Sequence, residues 1–192
     1  MTDKSVNSAT AQAAPAAPTG AEGLMAAAKS ANARGPAPVH LWNPPFCGDL
    51  DMEIRKDGTW FYNGTPIARP QMVQLFSTIL KREGDAYFLV TPVEKVGIRV
   101  VDAPFIAIDA DLEGEAVVFT TNVGDRIAAG PENGIRMAGT AQEPRPYLHV
   151  RAGLEALIDR KTFYRLAEIA ETDPETGRLA LRSNGQVIAL EP

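Results

Sequence analysis

The sequence predicts an α+β protein made of two similar halves, each an antiparallel sheet with one amphipathic helix. Three observations support this class: short alternating or apolar runs typical of strands, two apolar stripes with helical period, and a similar order of elements in both halves. A tail of different composition precedes them. We therefore divide the chain into a tail at 1–38, an N-terminal half at 39–102 and a C-terminal half at 103–192.

The tail contains no aromatic residue and is rich in alanine, proline, glycine and serine. Such a segment buries too little apolar area to offset the entropy of ordering it, so we expect it to be disordered. The piece Leu24–Lys29 is expected to form at most a transient helical turn. Because no continuous apolar stretch typical of a signal peptide or a membrane span is present, we expect a cytoplasmic protein.

The first hairpin lies within residues 47–62 and allows two registers, which exchange its two faces. A two-residue turn would pair Ile54 with Phe61 and leave Trp60 among charged side chains. A three-residue loop, with Gly58 in the left-handed region, would pair Ile54 with Trp60 and turn Trp60 to the apolar face. We favour the second register, because it gathers more apolar surface on one side.

Two helices are predicted. The first begins at Pro70, a residue suited to the first helical position, and ends near Gly84, with apolar residues at helical spacing between them. The second helical region runs from Leu154 to about Glu171. Within it Asp159 is either an internal break or an N-cap.

Strands are predicted on both sides of the helices. Those that come between the two helices are Tyr87–Val93, Val96–Val101, Phe105–Leu112 and Glu115–Thr121. The last hairpin is the clearest, because Asn184-Gly185 is the dipeptide preferred by a two-residue type I′ turn.

The similar order of elements suggests a duplication, with a cleft where the halves meet. The expected correspondences are Asp51–Ile67 with Phe105–Ala129, Pro70–Glu83 with Thr162–Glu171, and Tyr87–Val101 with Arg178–Leu190.

Composition excludes several classes of function. The formal net charge of −5 argues against binding to a nucleic-acid polymer. With one cysteine, Cys47, no internal disulfide is possible, and with only His40 and His149 beside it a zinc site is not expected. Glycine-rich phosphate loops and nucleophile-elbow patterns are missing, so we expect no cofactor, no metal and no membrane partner, and we lean towards a protein that is not an enzyme.

The segment Pro146–Arg151 carries the most informative polar pattern. Its alternation places Tyr147, His149 and Arg151 on one face. A helix predicted to begin at Gly153 would add free amide N–H groups suited to an anion, and the Tyr147 ring would offer a surface for a stacked base. The alternative is an ordinary exposed strand face paired with acidic neighbours, and the sequence leaves both open.

Several blocks of the sequence are distinctive. They are CGDLDM (47–52), DGTWFY (57–62), GTPIAR (64–69), YFLVTPVEK (87–95), DAPF (102–105), TNVGD (121–125) and PYLHVRAGLEALI (146–158). These blocks resemble the bacterial family known as domain of unknown function 1285. The resemblance spans nearly everything after the tail. It implies a duplicated α+β fold whose C-terminal half is loosely like pleckstrin-homology domains. It also implies a nucleotide-like ligand at the junction of the halves and a role in signalling or stress response, but it supplies no catalytic residues.

The blocks that we map to the junction contain eight candidate ligand-binding residues. They are Trp60, Arg69, Glu94, Lys95, Asn122, Tyr147, His149 and Arg151. We expect the cationic side chains to meet phosphate, an aromatic ring to stack on the base, and Glu94 or Asn122 to orient a polar edge.

Three functions follow as hypotheses. The first is a non-enzymatic module that binds a nucleotide-like or phosphorylated small molecule between the halves. The second is a protein–protein interaction adaptor that uses the sheet edges or the aromatic hairpin. The third is a hydrolase or transferase that uses Asp49, Asp51 and His149.

Overall fold

The computed structural model describes residues 20–31, 35–140 and 142–191, and this part of the chain contains three α-helices and 15 strands. The helices are α1 (Ala21–Ala31), α2 (Pro70–Thr78) and α3 (Arg160–Ile169), with a short 3₁₀-helix at Val39–Leu41. The N-terminal half contains β1 (Phe46–Ile54), β2 (Trp60–Tyr62), β3 (Thr65–Pro66), β4 (Leu80–Glu83), β5 (Ala86–Val90) and β6 (Lys95–Val100). The C-terminal half contains β7 (Phe105–Glu113), β8 (Ala116–Thr121), β9 (Arg126–Ala128), β10 (Ile135–Gly139), β11 (Pro144–Arg151) and β12 (Leu154–Ile158). A small third sheet follows, with β13 (Glu171–Thr172), β14 (Leu179–Ser183) and β15 (Gln186–Ala189).

Each half is a six-stranded sheet built in the same way. The strand orders are β3-β2-β1-β6-β5-β4 and β9-β8-β7-β12-β11-β10. In both, two antiparallel three-strand meanders meet through one parallel pair, β1 with β6 and β7 with β12. The prediction of two similar α+β halves is therefore confirmed, and the sheets are mixed rather than purely antiparallel because the chain crosses over once in each half.

The expected correspondence between the halves is right for the first three strands and wrong for the rest. Strands β1–β3 match β7–β9, but β4–β6 match β10–β12 and not the C-terminal hairpin. The helices do not correspond either, because α2 lies between the two meanders whereas α3 follows the second one.

Part of the predicted disordered tail is a helix. In α1 the side chains of Ala21, Leu24 and Ala28 are buried, and the helix packs against α2. These residues recur at i, i+3 and i+7, so they share one helical face. Composition alone does not predict this helix. Its apolar stripe is short, and it becomes stable because it packs against an already folded surface. The rest of the tail prediction concerns mainly residues 1–19 and 32–34, which lie outside the described residues.

The first predicted helix is too long. Helix α2 ends at Thr78, and the strand β4 begins two residues later. The hydroxyls of Ser77 and Thr78 donate to the carbonyls of Gln74 and Leu75, each at 2.7 Å, where they compete with the helical hydrogen bonds. Both apolar residues that follow are buried, but Ile79 is the C-cap of the helix and Leu80 begins a strand, which the helical spacing did not reveal.

The second predicted helix begins too early. Its first residues form β12, in which alternate residues are buried, as a strand with one covered face requires. The helix begins after Asp159, whose carboxylate accepts from the Thr162 N–H at 2.7 Å. The N-cap interpretation of Asp159 is therefore confirmed, while the helix expected from Leu154 onward is wrong.

Both hairpins have the turns that the sequence favoured. Ile54 pairs with Trp60, and Gly58 closes the three-residue loop with a φ of +78°. At the last hairpin Asn184 and Gly185 have φ values of +49° and +74°, as a type I′ turn requires.

One hydrophobic core runs through both halves. Trp60 is 1% exposed, and its ring stacks on Phe76 of α2 with centroids 6.3 Å apart. The same core contains Phe105, Phe119 and Leu148 from the C-terminal sheet. Within the described ranges, no α-helix is both long and apolar enough to cross a membrane.

Candidate functional site

Arg151 joins the two halves. Its guanidinium donates to the Asp125 carboxylate at 2.6 Å and to the Ser77 carbonyl at 2.9 Å, and it lies 5.1 Å from the centre of the Phe105 ring. Ser77 belongs to the last turn of α2, where carbonyls lack helical donors, so Arg151 caps a helix of the other half. Gly153 lies in a turn before a strand, so the helix N-terminus expected beside Arg151 is wrong.

His149 is held by the backbone at both ring nitrogens. Its Nδ1 lies 2.8 Å from the Glu132 carbonyl, and its Nε2 accepts from the Gly153 N–H at 3.2 Å. A carbonyl at one nitrogen and an amide at the other assign the neutral tautomer with the proton on Nδ1. The ring therefore ties the loop before β10 to the turn after β11.

Tyr147 is buried and belongs to a half-buried polar group around Asp102. Its hydroxyl donates to one carboxylate oxygen of Asp102 at 2.8 Å, and Arg145 binds the other oxygen. The guanidinium of Arg136 lies 4.5 Å from the centre of the tyrosine ring. Burial, followed by the hydrogen bond to the Asp102 carboxylate, raises the pKa of Tyr147 to about 12.

The N-terminal candidates lie elsewhere. Lys95 donates to the Glu83 carboxylate at 3.0 Å and lies 4.8 Å from the centre of the Phe88 ring. Glu94 is buried next to it in the chain. Arg69 is the N-cap of α2, is exposed, and forms no ion pair with a described residue.

Asn122 fixes the tip of the first hairpin against the C-terminal half. Its amide donates to the Gly58 carbonyl at 3.3 Å, and its oxygen accepts from the Ile106 N–H at 3.0 Å. A Cβ added to Gly58 would lie 2.6 Å from Nδ2 of Asn122 and 2.7 Å from Cγ1 of Ile106, so this approach requires glycine. Trp60, two residues further on, lies in the core.

The eight candidate residues, all within the described part, thus have separate sets of contacts, and none of them lines the cleft between the halves. That cleft has a volume of about 310 Å³. We call it the junction cleft, and it is lined by Lys56, Asp102, Glu143, Pro144, Arg145, Pro146, Leu157, Ile158, Asp159, Arg160, Phe163 and Tyr164. The N-terminal half contributes Lys56 from the hairpin tip and Asp102, and the C-terminal half contributes the rest.

Cationic side chains and an aromatic ring meet in the junction cleft. Arg160 donates to the hydroxyl of Tyr164 at 3.2 Å, and its guanidinium lies 5.6 Å from the ring centre. Neither Arg160 nor Lys56 forms an ion pair with a carboxylate of the described residues, whereas Arg145 is paired with Asp102. Two cations are therefore available to an incoming anion.

Three carboxylates also line the junction cleft, and two of them already have defined contacts. Asp102 is held between Arg145 and Tyr147, and Asp159 caps α3. The third, Glu143, is exposed. Since the cleft contains as many carboxylates as cations, it suits a ligand that combines an anionic group with hydroxyl donors rather than a bare polyanion.

A larger depression, of about 590 Å³, lies on the N-terminal sheet. Its charged lining residues are Asp49, Asp85 and Arg99, so carboxylates outnumber cations there. It suits an anion less well than the junction cleft does. Among the described residues, no group of three or more His, Cys, Asp or Glu side chains is placed to hold a metal ion.

The residues that line the junction cleft were not evident from the sequence. Lys56 and Arg160 are far apart in the chain and meet only because the hairpin tip docks on the C-terminal half. Two features of the sequence indicated these positions only indirectly. Gly58 is required by the three-residue loop that contains Lys56, and Asp159 is the N-cap before Arg160.

Comparison with known proteins places this architecture in a family. Residues 37–103 match the N-terminal domain, and residues 104–190 the C-terminal domain, of the family described as a domain or protein of unknown function (DUF1285). No curated protein matches the chain.

Two solved structures are similar to it. A DUF1285 family protein from Silicibacter pomeroyi DSS-3 is 59% identical, with a TM-score of 0.80 over 88% of this chain and 94% of that one. A DUF1285 family protein from Shewanella baltica OS155 is 28% identical, with a TM-score of 0.52 over 62% of this chain and 91% of that one. With both of its halves matched by the family's two domains, the chain belongs to the DUF1285 family.

Proposed function

We propose that this protein is a non-enzymatic module that binds a phosphorylated, nucleotide-like small molecule in the junction cleft. The observation that carries the proposal is the meeting of Lys56, Arg145 and Arg160 with the Tyr164 ring in one concave surface between the halves. The cleft volume of about 310 Å³ falls at the lower end of the ~300–1,000 Å³ typical of small-molecule sites.

Each part of such a ligand has a matching group. The phosphate would lie between Lys56 and Arg160, the two lining cations without an ion pair among the described residues. The half-exposed ring of Tyr164 would stack on the base. Glu143 would accept hydrogen bonds from the sugar hydroxyls, as an exposed carboxylate can.

The state of the candidate acid–base groups favours binding over catalysis. Both ring nitrogens of His149 have backbone contacts, so neither is open to a substrate proton. Asp49 and Asp51, the carboxylates of the enzyme hypothesis, lie on β1 of the N-terminal sheet, whereas His149 lies on β11 of the C-terminal sheet.

The aromatic hairpin gives little support to the adaptor alternative. Trp60 is buried, and Phe61 lies under the Arg55 guanidinium at 3.5 Å, so neither of these rings offers an open face to a partner. A role in signalling or stress response is part of our proposal and rests on the family resemblance, whereas the proposed cytoplasmic location rests on the sequence pattern.

Isothermal titration calorimetry tests the proposal with inorganic phosphate, adenosine and the common nucleoside monophosphates as probes. We expect at least one monophosphate to bind, and Lys56→Ala or Arg160→Ala to weaken it about 10- to 100-fold, as the loss of a charge-assisted hydrogen bond predicts. Lys161→Ala is the matched control, because Lys161 is the next residue of α3 and does not line the cleft. Absence of heat with every probe, or an equal loss in the control, would overturn the proposal.

A further inference from the structure

The edge strand β15 carries neither of the residue types that usually protect a sheet edge from pairing. Edge strands in natural proteins carry charges or proline. Among the described edges, β3 contains Pro66, β9 and β10 contain Arg126 and Arg136, β13 contains Glu171, and β4 is mostly charged. Strand β15 has the sequence Gln-Val-Ile-Ala, with neither charge nor proline.

The backbone of β15 is oriented for a further strand. The Leu190 N–H donates to the Leu179 carbonyl at 2.9 Å, which places alternate residues such as Ile188 in the hydrogen-bonded positions facing β14. Val187 and Ala189 therefore direct their N–H and C=O groups away from β14. In the part of the chain that the structure describes, β15 has β14 as its single neighbour.

Exposed apolar side chains adjoin this edge. Val187 is 43% exposed, Leu112 is 59% exposed and Ile169 is 48% exposed. With Ala180 and Leu181 they form most of the apolar lining of a slot of about 300 Å³ between α3 and the small sheet, and the rest of the lining includes the charged residues Glu171, Asp173 and Arg182. A group of large exposed apolar residues beside an open strand edge is typical of an interaction surface.

We propose that the occupant of this edge is a second copy of the chain, with the two β15 strands antiparallel around a two-fold axis at Ile188. Val187 of each copy then pairs with Ala189 of the other, and the outward N–H and C=O groups of both residues are satisfied in each copy. The small Ala189 leaves room for the branched Val187 beside it.

Charge favours a second copy as the partner. Glu191 lies on the same face as Val187 and Ala189, because strand residues alternate. In the two-fold arrangement it stands opposite Gly185 of the other copy. Arg182 of that copy lies one row away on the neighbouring strand β14, with a side chain that is 69% exposed and 4.0 Å from the Asp173 carboxylate of its own chain. Glu191 of each copy would thus give the exposed guanidinium of the other copy's Arg182 a second carboxylate partner, and the arrangement repeats by symmetry.

Sedimentation velocity of the full chain over a wide concentration range tests the dimer. We expect reversible dimerisation, and Val187→Lys should raise the dissociation constant at least about tenfold by placing a charge in the apolar contact. The control is Val93→Lys, since Val93 is an apolar residue 69% exposed in the N-terminal half. A wild type that stays monomeric at the highest concentration, or a control that weakens association as much, would overturn the proposal.

Hydrogen exchange provides a second readout that does not depend on a variant. The amides of Val187 and Ala189 should exchange more slowly at high than at low concentration, while the Leu190 amide, bonded within the chain, should not change. A dimer without added protection at Val187 and Ala189 would place the interface elsewhere and refute the pairing.

Discussion

The two halves share one strand order but place their helices differently, and the difference creates the asymmetry of the molecule. In the N-terminal half α2 stands between the two meanders, so that the carbonyls of its last turn face the other half. In the C-terminal half α3 follows the second meander, so that its first turn lines the junction cleft. Although both halves contain the same sheet, the N-terminal half contributes a hairpin tip to the junction cleft and the C-terminal half contributes the first turn of a helix.

The largest effect is expected from a substitution that disrupts the contact between the first hairpin and the C-terminal half. Gly58→Ala should lower the free energy of unfolding by about 3 kcal/mol, because the new methyl group adds a clash to the strain of a positive φ. Gly84→Ala is the control: Gly84 closes another hairpin of the same half with a φ of +60°, and nothing lies within 4 Å of its added Cβ. We expect a loss of about 1 kcal/mol there. Urea denaturation measures both, and equal losses would show that the hairpin tip is not fixed by the C-terminal half.

A second substitution removes the cap that one half gives to the other. Arg151→Met should lower the free energy of unfolding by about 2 kcal/mol, because Asp125 and the Ser77 carbonyl lose their half-buried donor. Arg69→Met, at the exposed start of the same helix, should change it by less than about 0.5 kcal/mol. Chemical denaturation measures the free energy of unfolding of both variants. An unchanged value in Arg151→Met would mean that α2 is stable without the cap.

The smallest expected effect concerns Tyr147 in the half-buried polar group around Asp102. Burial raises the pKa of Tyr147 from 10.0 to about 12, so the folded state favours the neutral phenol. Its contribution to stability is full below pH 10 and is lost as the pH rises towards 12. Tyr147→Phe should cost about 1 kcal/mol at neutral pH through the lost hydrogen bond, and it should flatten this alkaline decline.

Ultraviolet titration of the phenols identifies the group directly. Tyr147→Phe should remove the transition near pH 12, whereas Tyr164→Phe, at a half-exposed position, should leave it in place. If the transition near pH 12 persists in Tyr147→Phe, another tyrosine is responsible for it.

Local rules predicted the parts of the fold that local chemistry determines. The register of Ile54 with Trp60 and the turn at Asn184-Gly185 follow from loop length and from the residues that tolerate positive φ. The sequence pattern predicts a helix at Leu154–Ile158, because a short apolar run fits the helical and the strand period alike. In the structure this segment is the strand β12, which pairs in parallel with β7. Local sequence patterns do not predict such a long-range pairing.

The candidate site was harder to predict than the fold, for the same reason. Arg151 has the acidic contact that the exposed-face alternative expected, in Asp125, but its second contact is 74 residues away in the chain. The meeting of Lys56 with Arg160 likewise depends on docking between the halves. The sequence indicated a junction and several cationic residues, and tertiary packing decides which of them face each other.

The cap that Arg151 places on α2 has a consequence for how this duplicated chain melts. Repeats that contact each other weakly unfold one at a time, as separate cooperative units. Here the last turn of one half's helix is completed by a side chain of the other, and the core is continuous through both. The repeats have therefore lost their independence, and the calorimetric enthalpy of melting should equal the van't Hoff enthalpy of a single transition.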